Sequence, residues 1–206
     1  MDEKLEEYWN KSLKFKIQQK KNEWLDFSKH LLEITPIKQA LEIGCYDGGT
    51  TIFLSHLCEN LITIDQPNPP RFDEYKYNIG DSEIYGSKLL NTFTNFNYIS
   101  GNSHSEETLN RVIKTLDGKK LDLLFIDGDH SYEGVKQDYK MYSQLVREGG
   151  IIAFHDVHES SFHESHNCYV HNFWKEIKDE FEDSKTLYCN QGQNSVWGGI
   201  GILIKK

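Results

Sequence analysis

The sequence lacks long apolar runs and paired cysteines. No hydrophobic stretch approaches the roughly 20 residues of a membrane-spanning helix, and the charged start, Met1–Lys4, predicts no signal peptide. The 4 cysteines include no C-x-x-C pair, which indicates reduced thiols rather than a disulfide or zinc framework. We therefore expect a cytoplasmic protein that has no membrane partner.

Positively charged residues are also fewer than negatively charged ones. The chain has 23 Lys and Arg against 32 Asp and Glu, a net charge of −9. This balance argues against nonspecific binding to nucleic acid, although it leaves a local basic patch open. Internal repeats and Gly/Ser linkers are absent as well. A chain of 206 residues is expected to form one main domain, residues 36–206, preceded by a helical segment, residues 1–35.

The hydrophobic pattern changes at Pro36. Before it, Trp24, Phe27 and Leu31 follow the spacing of a buried helix face. After it, short apolar strands alternate with helices, and this alternation predicts a parallel sheet covered on both sides. In the helix expected over 106–116, Ile113 is placed on the apolar face. The last two strands are joined by a turn-rich segment and predict an antiparallel hairpin. Expected strands are 38–43, 61–64, 96–100, 121–126, 150–154, 185–188 and 200–204, and expected helices are 50–58, 106–116, 134–146 and 173–181.

A glycine-rich turn follows the first strand of the main domain. Gly44 ends that strand, Gly48 precedes the next helix, and Asp65 ends the second strand about twenty residues after Gly44. A carboxylate in that place can accept hydrogen bonds from both hydroxyls of a ribose. The pattern therefore predicts a site for a nucleoside cofactor. Tyr46 stands where a dinucleotide fingerprint has its second glycine, which leaves less room for a pyrophosphate.

Carboxylates and imidazoles gather after two neighbouring strands. Asp127 and His130 follow the fourth strand, and His155 and Asp156 follow the fifth. Adjacent parallel strands end about 5 Å apart, so these side chains are expected to converge. They offer metal ligands, a general base, or an electrostatic partner for a positive charge. Asp129, His104 and His158 are weaker candidates for the same site.

Two long loops interrupt the pattern. Residues 66–80 are rich in proline and aromatic side chains, and residues 156–172 are rich in histidine. Loops of this length in a compact domain are often lids or binding loops. His163, His166 and His171 are expected to be ordinary loop residues, with adventitious metal binding as the alternative.

Several stretches of the sequence together resemble a known enzyme family. LEIGCYDGGTT, residues 41–51, is similar to the first motif of class I S-adenosylmethionine-dependent methyltransferases. Residues 121–157, with GNSHSEETL at 101–109 and NFWKEIK at 172–178, resemble the small O-methyltransferases of cephalosporin and macrocin biosynthesis. The resemblance implies an α/β, three-layer Rossmann-like methyltransferase fold over residues 36–206. It also implies a mostly parallel seven-stranded sheet, preceded here by N-terminal helices.

The resemblance implies a role for particular residues in binding S-adenosylmethionine. Glu42, Gly44 and Gly48 would line its methionine part, and Asp65 would hold the ribose. The remaining implied cofactor contacts are Asn102 and Ser103 at the adenine and Asp127 beside the sulfonium.

The resemblance also implies a divalent metal ion. Its ligands would be Asp127, Asp156 and His155, although relatives often carry a carboxylate in place of His155. Magnesium is the first expectation, while an imidazole ligand suits manganese or zinc better. The candidate catalytic residues are Asp127, His130 and His155. Either imidazole could take a proton, since imidazole titrates near neutral pH, and His130 is the better base if His155 binds metal.

The implied reaction is O-methylation of a hydroxyl on a sugar or another small molecule, with no nucleic-acid partner. Aromatic residues in 66–80 would stack on a sugar or form a dimer contact, so a homo-oligomer is left open. Two other functions are kept as alternatives. One is an NAD-dependent oxidoreductase, and the other is a non-catalytic nucleoside-cofactor-binding protein of the same fold.

Overall fold

The structure of the chain is a computed structural model. The aromatic segment 67–80, the turn-rich connection 190–194 and Cys189 lie outside the residues that it describes. The structure describes residues 2–15, 17–33, 36–46, 48–66, 95–188 and 197–206.

A seven-stranded sheet forms the centre of the protein, in the order β3-β2-β1-β4-β5-β7-β6. The first five strands pair in parallel, while β7 runs antiparallel to both β5 and β6. The predicted sheet and terminal hairpin are therefore confirmed. The strands are β1 (Ile37–Ile43), β2 (Cys58–Asp65), β3 (Phe96–Ser100), β4 (Leu121–Ile126), β5 (Val146–His155), β6 (Ser184–Leu187) and β7 (Ile200–Ile204).

Helices cover both faces of the sheet. Alternate residues of the central strands belong to two separate hydrophobic clusters, one on each face, which gives the expected three layers. None of the described helices is long and apolar enough to cross a bilayer. The α-helices are α1 (Asp2–Ser12), α2 (Lys21–Glu33), α3 (Gly49–Ser55), α4 (Glu106–Leu116), α5 (Tyr132–Tyr142), α6 (Ser161–Ser165) and α7 (Val170–Ile177), and short 3-10 turns span 13–15, 143–145 and 178–180.

Several predicted helix boundaries were wrong. The helix expected over 50–58 ends at Ser55, and Cys58 already belongs to β2. The helix expected to begin at Gly134 begins two residues earlier, because the Ser131 hydroxyl accepts a hydrogen bond from the Gly134 N–H and caps it. Ile113, expected on the apolar face of α4, is 44% exposed.

The two N-terminal helices belong to one of the two hydrophobic clusters, the one that includes Phe125 of β4. Trp24, Phe27 and Leu31 of α2 are fully buried, as their spacing predicted. The Trp24 ring meets Phe125 of β4 edge-on at 5.2 Å and Phe53 of α3 at 5.6 Å between centroids. The boundary predicted between residues 1–35 and 36–206 therefore separates elements whose side chains pack in the same hydrophobic cluster.

We expect Trp24→Ala to lower the free energy of unfolding by about 3–5 kcal/mol, because it leaves a cavity between α2 and the sheet. Urea denaturation followed by circular dichroism measures the loss. The control is Leu13→Ala, whose side chain is 53% exposed and should change stability by about 0.5 kcal/mol or less. Equal stability of the two variants would mean that the N-terminal helices contribute little to the core.

Candidate active site

Gly44 sets the distance between two loops of the site. Its φ angle is +89°, and a Cβ atom built on it would lie 2.1 Å from the carbonyl oxygen of Asp127. The Asp127 N–H donates a hydrogen bond to the carbonyl of Ile43 at 2.8 Å. Glycine is therefore required at position 44 for packing between the ends of β1 and β4, in addition to any ligand that approaches there.

Asp65 holds the glycine-rich turn in place. Its Oδ2 accepts hydrogen bonds from the Cys45 and Tyr46 N–H groups at 3.1 and 2.8 Å, and its Oδ1 accepts one from the Gln66 N–H at 2.7 Å. Burial raises the pKa of Asp65, and these hydrogen bonds oppose the rise. The Cys45 thiol also donates to Oδ2 at 3.4 Å. Of the roughly four acceptor positions of a carboxylate, the one that remains for a ribose hydroxyl is therefore on Oδ1, which accepts a single hydrogen bond.

Glu42 is buried under the turn and faces no open space. It is 0% exposed, and its Oε2 accepts hydrogen bonds from the Thr51 and Thr63 hydroxyls at 2.5 and 2.8 Å. Its Oε1 accepts none within the described part of the chain. Burial raises the pKa of Glu42 to about 8. Its carboxyl is therefore mostly neutral at pH 7 and connects β1 to α3 and β2.

The loop after β3 is tied to α5. Asn102 is exposed and its Oδ1 accepts a hydrogen bond from the His104 N–H at 2.9 Å. The Ser103 carbonyl accepts one from the Tyr142 hydroxyl at 2.7 Å. The His104 ring lies 3.3 Å from the buried Asp138, which raises the pKa of His104. His104 is thus paired with Asp138 of α5, and it is not among the imidazoles that contact Asp127 or Asp156.

The predicted carboxylates and imidazoles do converge where β4 and β5 end. Asp127 Oδ1 lies 3.2 Å from His130 Nε2 and 3.3 Å from His155 Nδ1. Asp156 faces the same two rings, with 3.3 Å from its Oδ1 to His155 Nδ1 and 3.7 Å from its Oδ2 to His130 Nε2. We call these four residues the strand-end cluster.

The strand-end cluster balances its own charge. Burial disfavours a charged imidazole, but Asp156 and Asp127 outweigh it and raise the pKa of His155 well above its usual range. The same competition raises the pKa of His130 to about 9. Burial also works against ionisation of Asp127, yet the neighbouring His155 keeps its pKa below the usual value. The directions of these shifts favour the state with two carboxylates and two imidazolium groups.

Three members of the cluster fit a divalent cation. Asp127, His130 and Asp156 each offer one ligand atom, and these atoms lie within 4.8 Å of one another. His130 completes this group, and His155, the ligand expected from the sequence, lies equally near, with Nδ1 3.3 Å from an oxygen of each carboxylate. Two carboxylates and one imidazole form a donor set that suits manganese or zinc as well as magnesium.

Two residues that the sequence did not indicate close the site from the N-terminal side. The Gln19 amide donates to Asp127 Oδ2 at 2.6 Å, and its carbonyl accepts from the Thr50 hydroxyl at 2.6 Å. Glu23 is buried, with Oε1 3.1 Å from His155 Nε2. Its Oε2 accepts from the Gly199 N–H at 2.8 Å. The one sequence feature that could have indicated Glu23 is its position directly before Trp24, the first of the buried residues of α2.

The histidine-rich loop is more buried than expected. His163 is 3% exposed and His171 is 1% exposed, so the expectation of ordinary loop residues was wrong for both. They lie in α6 and α7, and α7 packs against α5 and β5. His158 lies beside the Tyr188 ring, with 5.3 Å between centroids, and it is not part of the strand-end cluster.

The family comparison fits this geometry. Residues 41–157, from β1 to just past β5, match the family described as a methyltransferase domain. The chain belongs to this methyltransferase family. The matched range contains the glycine-rich turn, Asp65 and the whole strand-end cluster. The N-terminal residues Gln19 and Glu23 lie outside it.

Solved methyltransferases share the fold. NodS, an N-methyltransferase from Bradyrhizobium japonicum WM9, superposes with a TM-score of 0.63 at 12% identity, covering 89% of this chain and 97% of that one. An O-methyltransferase from Bacillus cereus in complex with S-adenosylhomocysteine gives 0.60 at 18% identity, covering 100% and 92%. These identities establish a common Rossmann-like architecture only, and the two enzymes named act on different acceptor atoms.

A viral protein is similar in sequence. Uncharacterized protein R132 of Acanthamoeba polyphaga mimivirus is 33% identical over 122 residues, which are 58% of this chain and 51% of that protein. The chain therefore spans about half the length of this curated relative.

Glu42→Gln is expected to remove a pH-dependent loss of stability. Because the folded pKa of Glu42 is raised to about 8 from a usual 4.5, folding favours the protonated carboxyl. This stabilisation is complete below pH 4.5 and is lost as the pH rises through 8. The glutamine variant imitates the neutral carboxyl, so it should be the more stable protein at pH 8.5, by on the order of 1 kcal/mol or more.

Urea unfolding of wild type and variant from pH 5 to 9 measures this difference. The matched control is Glu182→Gln, whose side chain is 85% exposed and should leave the pH profile unchanged. A Glu42→Gln protein that is less stable than wild type at pH 8.5 would show that the charged carboxylate is needed there.

Proposed function

We propose that the protein transfers a methyl group from S-adenosylmethionine to a hydroxyl oxygen of a small molecule. The observation that carries the proposal is the meeting of three features at one edge of the sheet, within the family match. These features are the glycine-rich turn, the Asp65 carboxylate and the strand-end cluster. This edge lies where the strand order reverses between β1 and β4, the usual ligand position in open α/β sheets.

The cofactor contacts are proposed from the positions of the residues. Asp65 binds the ribose hydroxyls, the turn from Gly44 to Gly48 lies against the methionine part, and Asn102 and Ser103 lie at the adenine. Asp127 is close enough to the turn to attract the positively charged end of the cofactor. In the structure Gln19 occupies the hydrogen-bonding position between Thr50 and Asp127, so a cofactor group that bonds Asp127 Oδ2 displaces its amide.

The strand-end cluster supplies the proton chemistry. In the reaction an acceptor oxygen forms a bond to the methyl carbon while the bond from that carbon to sulfur breaks, and the hydroxyl proton must leave. We propose His130 as the group that takes this proton at Nε2, because 43% of its side chain is exposed whereas His155 is buried. His130 must first lose its own proton, since its pKa lies near 9. Asp127 and Asp156 both face Nε2, so they accept a hydrogen bond from it only after it has taken the proton, and they stabilise the imidazolium that forms.

We propose that a divalent metal ion assists the reaction, held by Asp127 and Asp156 with His130 or His155 as the third ligand. Such an ion supplies a Lewis acid that lowers the pKa of the acceptor hydroxyl. A His130 that binds the ion through Nε2 is unable to take a proton there. If His155 is the third ligand, His130 stays available as the base. Metal-assisted transfer and metal-free transfer with His130 as the base are the two accounts to be separated.

The acceptor class is proposed from the sequence. The stretches at 101–109, 121–157 and 172–178 support the branch of small O-methyltransferases that includes the cephalosporin and macrocin enzymes, and hence a sugar or similar hydroxylated molecule. The net charge of −9 supports a partner other than nucleic acid. We also propose that the reaction takes place in the cytoplasm. The proposal is compatible with a monomer and with a homo-oligomer.

Asp65→Asn is expected to weaken the binding of S-adenosylhomocysteine by at least about 1.5 kcal/mol, or about tenfold, because hydrogen bonds from the ribose to a charged acceptor are lost. Isothermal titration calorimetry gives the affinity. Asp117→Asn is the matched control, since Asp117 is exposed at the end of α4, and it should bind as wild type does. Unchanged affinity in Asp65→Asn, or preferential binding of NADH, would contradict the cofactor assignment.

Chelation separates the two catalytic accounts. Transfer of a labelled methyl group to a panel of sugars and hydroxylated compounds is measured before and after exhaustive treatment with EDTA. We expect EDTA to abolish transfer, and Mg²⁺ or Mn²⁺ to restore it, while S-adenosylhomocysteine still binds. Full activity after chelation would overturn metal assistance and leave His130 as the base. Cofactor binding without transfer to any hydroxyl would favour the non-catalytic alternative.

A further inference from the structure

We propose that the protein has a second, inner cation site formed by Asp156, His163 and Cys168, and that this site takes a zinc-type divalent ion. One ligand atom from each residue lies within 4.8 Å of the other two. All three residues are buried, with exposed fractions of 8%, 3% and 4%. The proposal concerns a site beside the strand-end cluster and does not depend on methyl transfer.

Asp156 contacts both groups, and its Oδ1 is the oxygen that faces His163. Its Oδ2 faces His130 of the strand-end cluster, while its Oδ1 lies 3.2 Å from His163 Nε2. That Oδ1 is buried and accepts no hydrogen bond from the described residues, although His155 Nδ1 is 3.3 Å away. The φ angle of Asp156 is +60°, a conformation that non-glycine residues adopt at a cost. A strained backbone therefore holds a buried acceptor that lacks a donor.

The tautomer of His163 leaves a lone pair facing that oxygen. Its Nδ1 lies 2.6 Å from the carbonyl oxygen of His158, and a carbonyl only accepts, so Nδ1 carries the proton. Its Nε2 accepts a hydrogen bond from the Gly198 N–H at 3.1 Å, which agrees with an unprotonated Nε2. A nitrogen acceptor and a carboxylate oxygen thus face each other at 3.2 Å with no proton between them.

A cation resolves this conflict. Histidines that bind metal ions almost always donate their other ring N–H to a carbonyl or carboxylate, as His163 does to His158. Binding would cost the hydrogen bond from Gly198, because the ion needs the same lone pair. In return, a cation bound by both Nε2 and Oδ1 would remove the repulsion between their lone pairs. It would also give Asp156 Oδ1 a partner.

Cys168 makes the donor set specific for a soft ion. Its N–H donates to the carbonyl of His163 at 2.8 Å, which fixes the spacing of the two ligands. One thiolate, one imidazole and one carboxylate are typical zinc ligands and are a poor set for magnesium. With the thiolate and the carboxylate both charged, a divalent ion gives a neutral group, which suits a buried position.

The test is titration of the metal-free protein with Co²⁺, a spectroscopic substitute for zinc. We expect one equivalent of Co²⁺ to produce a thiolate-to-cobalt charge-transfer band in the near ultraviolet, and Zn²⁺ to remove it by displacement. Cys168→Ser should abolish the band, and His163→Gln should weaken Co²⁺ binding by at least about tenfold. Circular dichroism checks that each variant is folded.

Two control variants assign the band to the inner site. Cys45→Ser removes another buried thiol, which lies at the glycine-rich turn, and Asp127→Asn removes a ligand of the strand-end cluster. Both should retain the charge-transfer band. Absence of the band in wild type, or its persistence in Cys168→Ser, would overturn the proposal. Because the readout is cobalt absorption, failure of methyl transfer leaves this result unaffected.

Discussion

Two carboxylates at neighbouring strand ends, each with 12% of its side chain exposed, determine the arrangement of the rest of the site. Asp127 and Asp156 follow β4 and β5, which pair in parallel up to Ile126 and Phe154. Uncompensated negative charges at this distance would repel each other and resist ionisation. The protein compensates them with His155 and His130, whose rings lie between the two carboxylates.

The same constraint explains the N-terminal segment. An imidazolium as buried as His155 needs acceptors at both nitrogens, and α2 supplies the second one through Glu23. Gln19 extends the contact to Asp127 and Thr50. These polar contacts lie beside the apolar contacts of Trp24 with Phe53 and Phe125. The N-terminal helices thus contribute to the chemistry of the site as well as to the core.

Local sequence patterns predicted the sheet well. The strands 96–100 and 121–126 and the helix 106–116 have the expected bounds, because each combines a clear hydrophobic period with turn residues at its ends. The meeting of Asp127 and Asp156 was predictable from parallel strand order alone. Helix ends were less accurate where a 3-10 turn or a strand follows directly, as after Tyr142.

The missing parts of the site depend on contacts between distant residues. Glu23 and His155 are 132 positions apart, and no local pattern relates them. The burial of His163 likewise follows from how α6 packs beside Asp156 and Gly198. His155 was expected as a metal ligand because the family resemblance implied a ligand at that position. The contact with Glu23, which makes the ring a cation between carboxylates, is visible only in three dimensions.

The central claim is that the metal-free strand-end cluster contains a buried imidazolium at position 155. Nitrogen-15 NMR of histidine-labelled, chelator-treated protein tests it directly, with the signal assigned through a His155→Gln variant. We expect both ring nitrogens of His155 to be protonated at pH 8, and Glu23→Gln to lower its pKa because one carboxylate partner is lost. A neutral His155 ring at pH 8 in the folded wild-type protein would contradict the account.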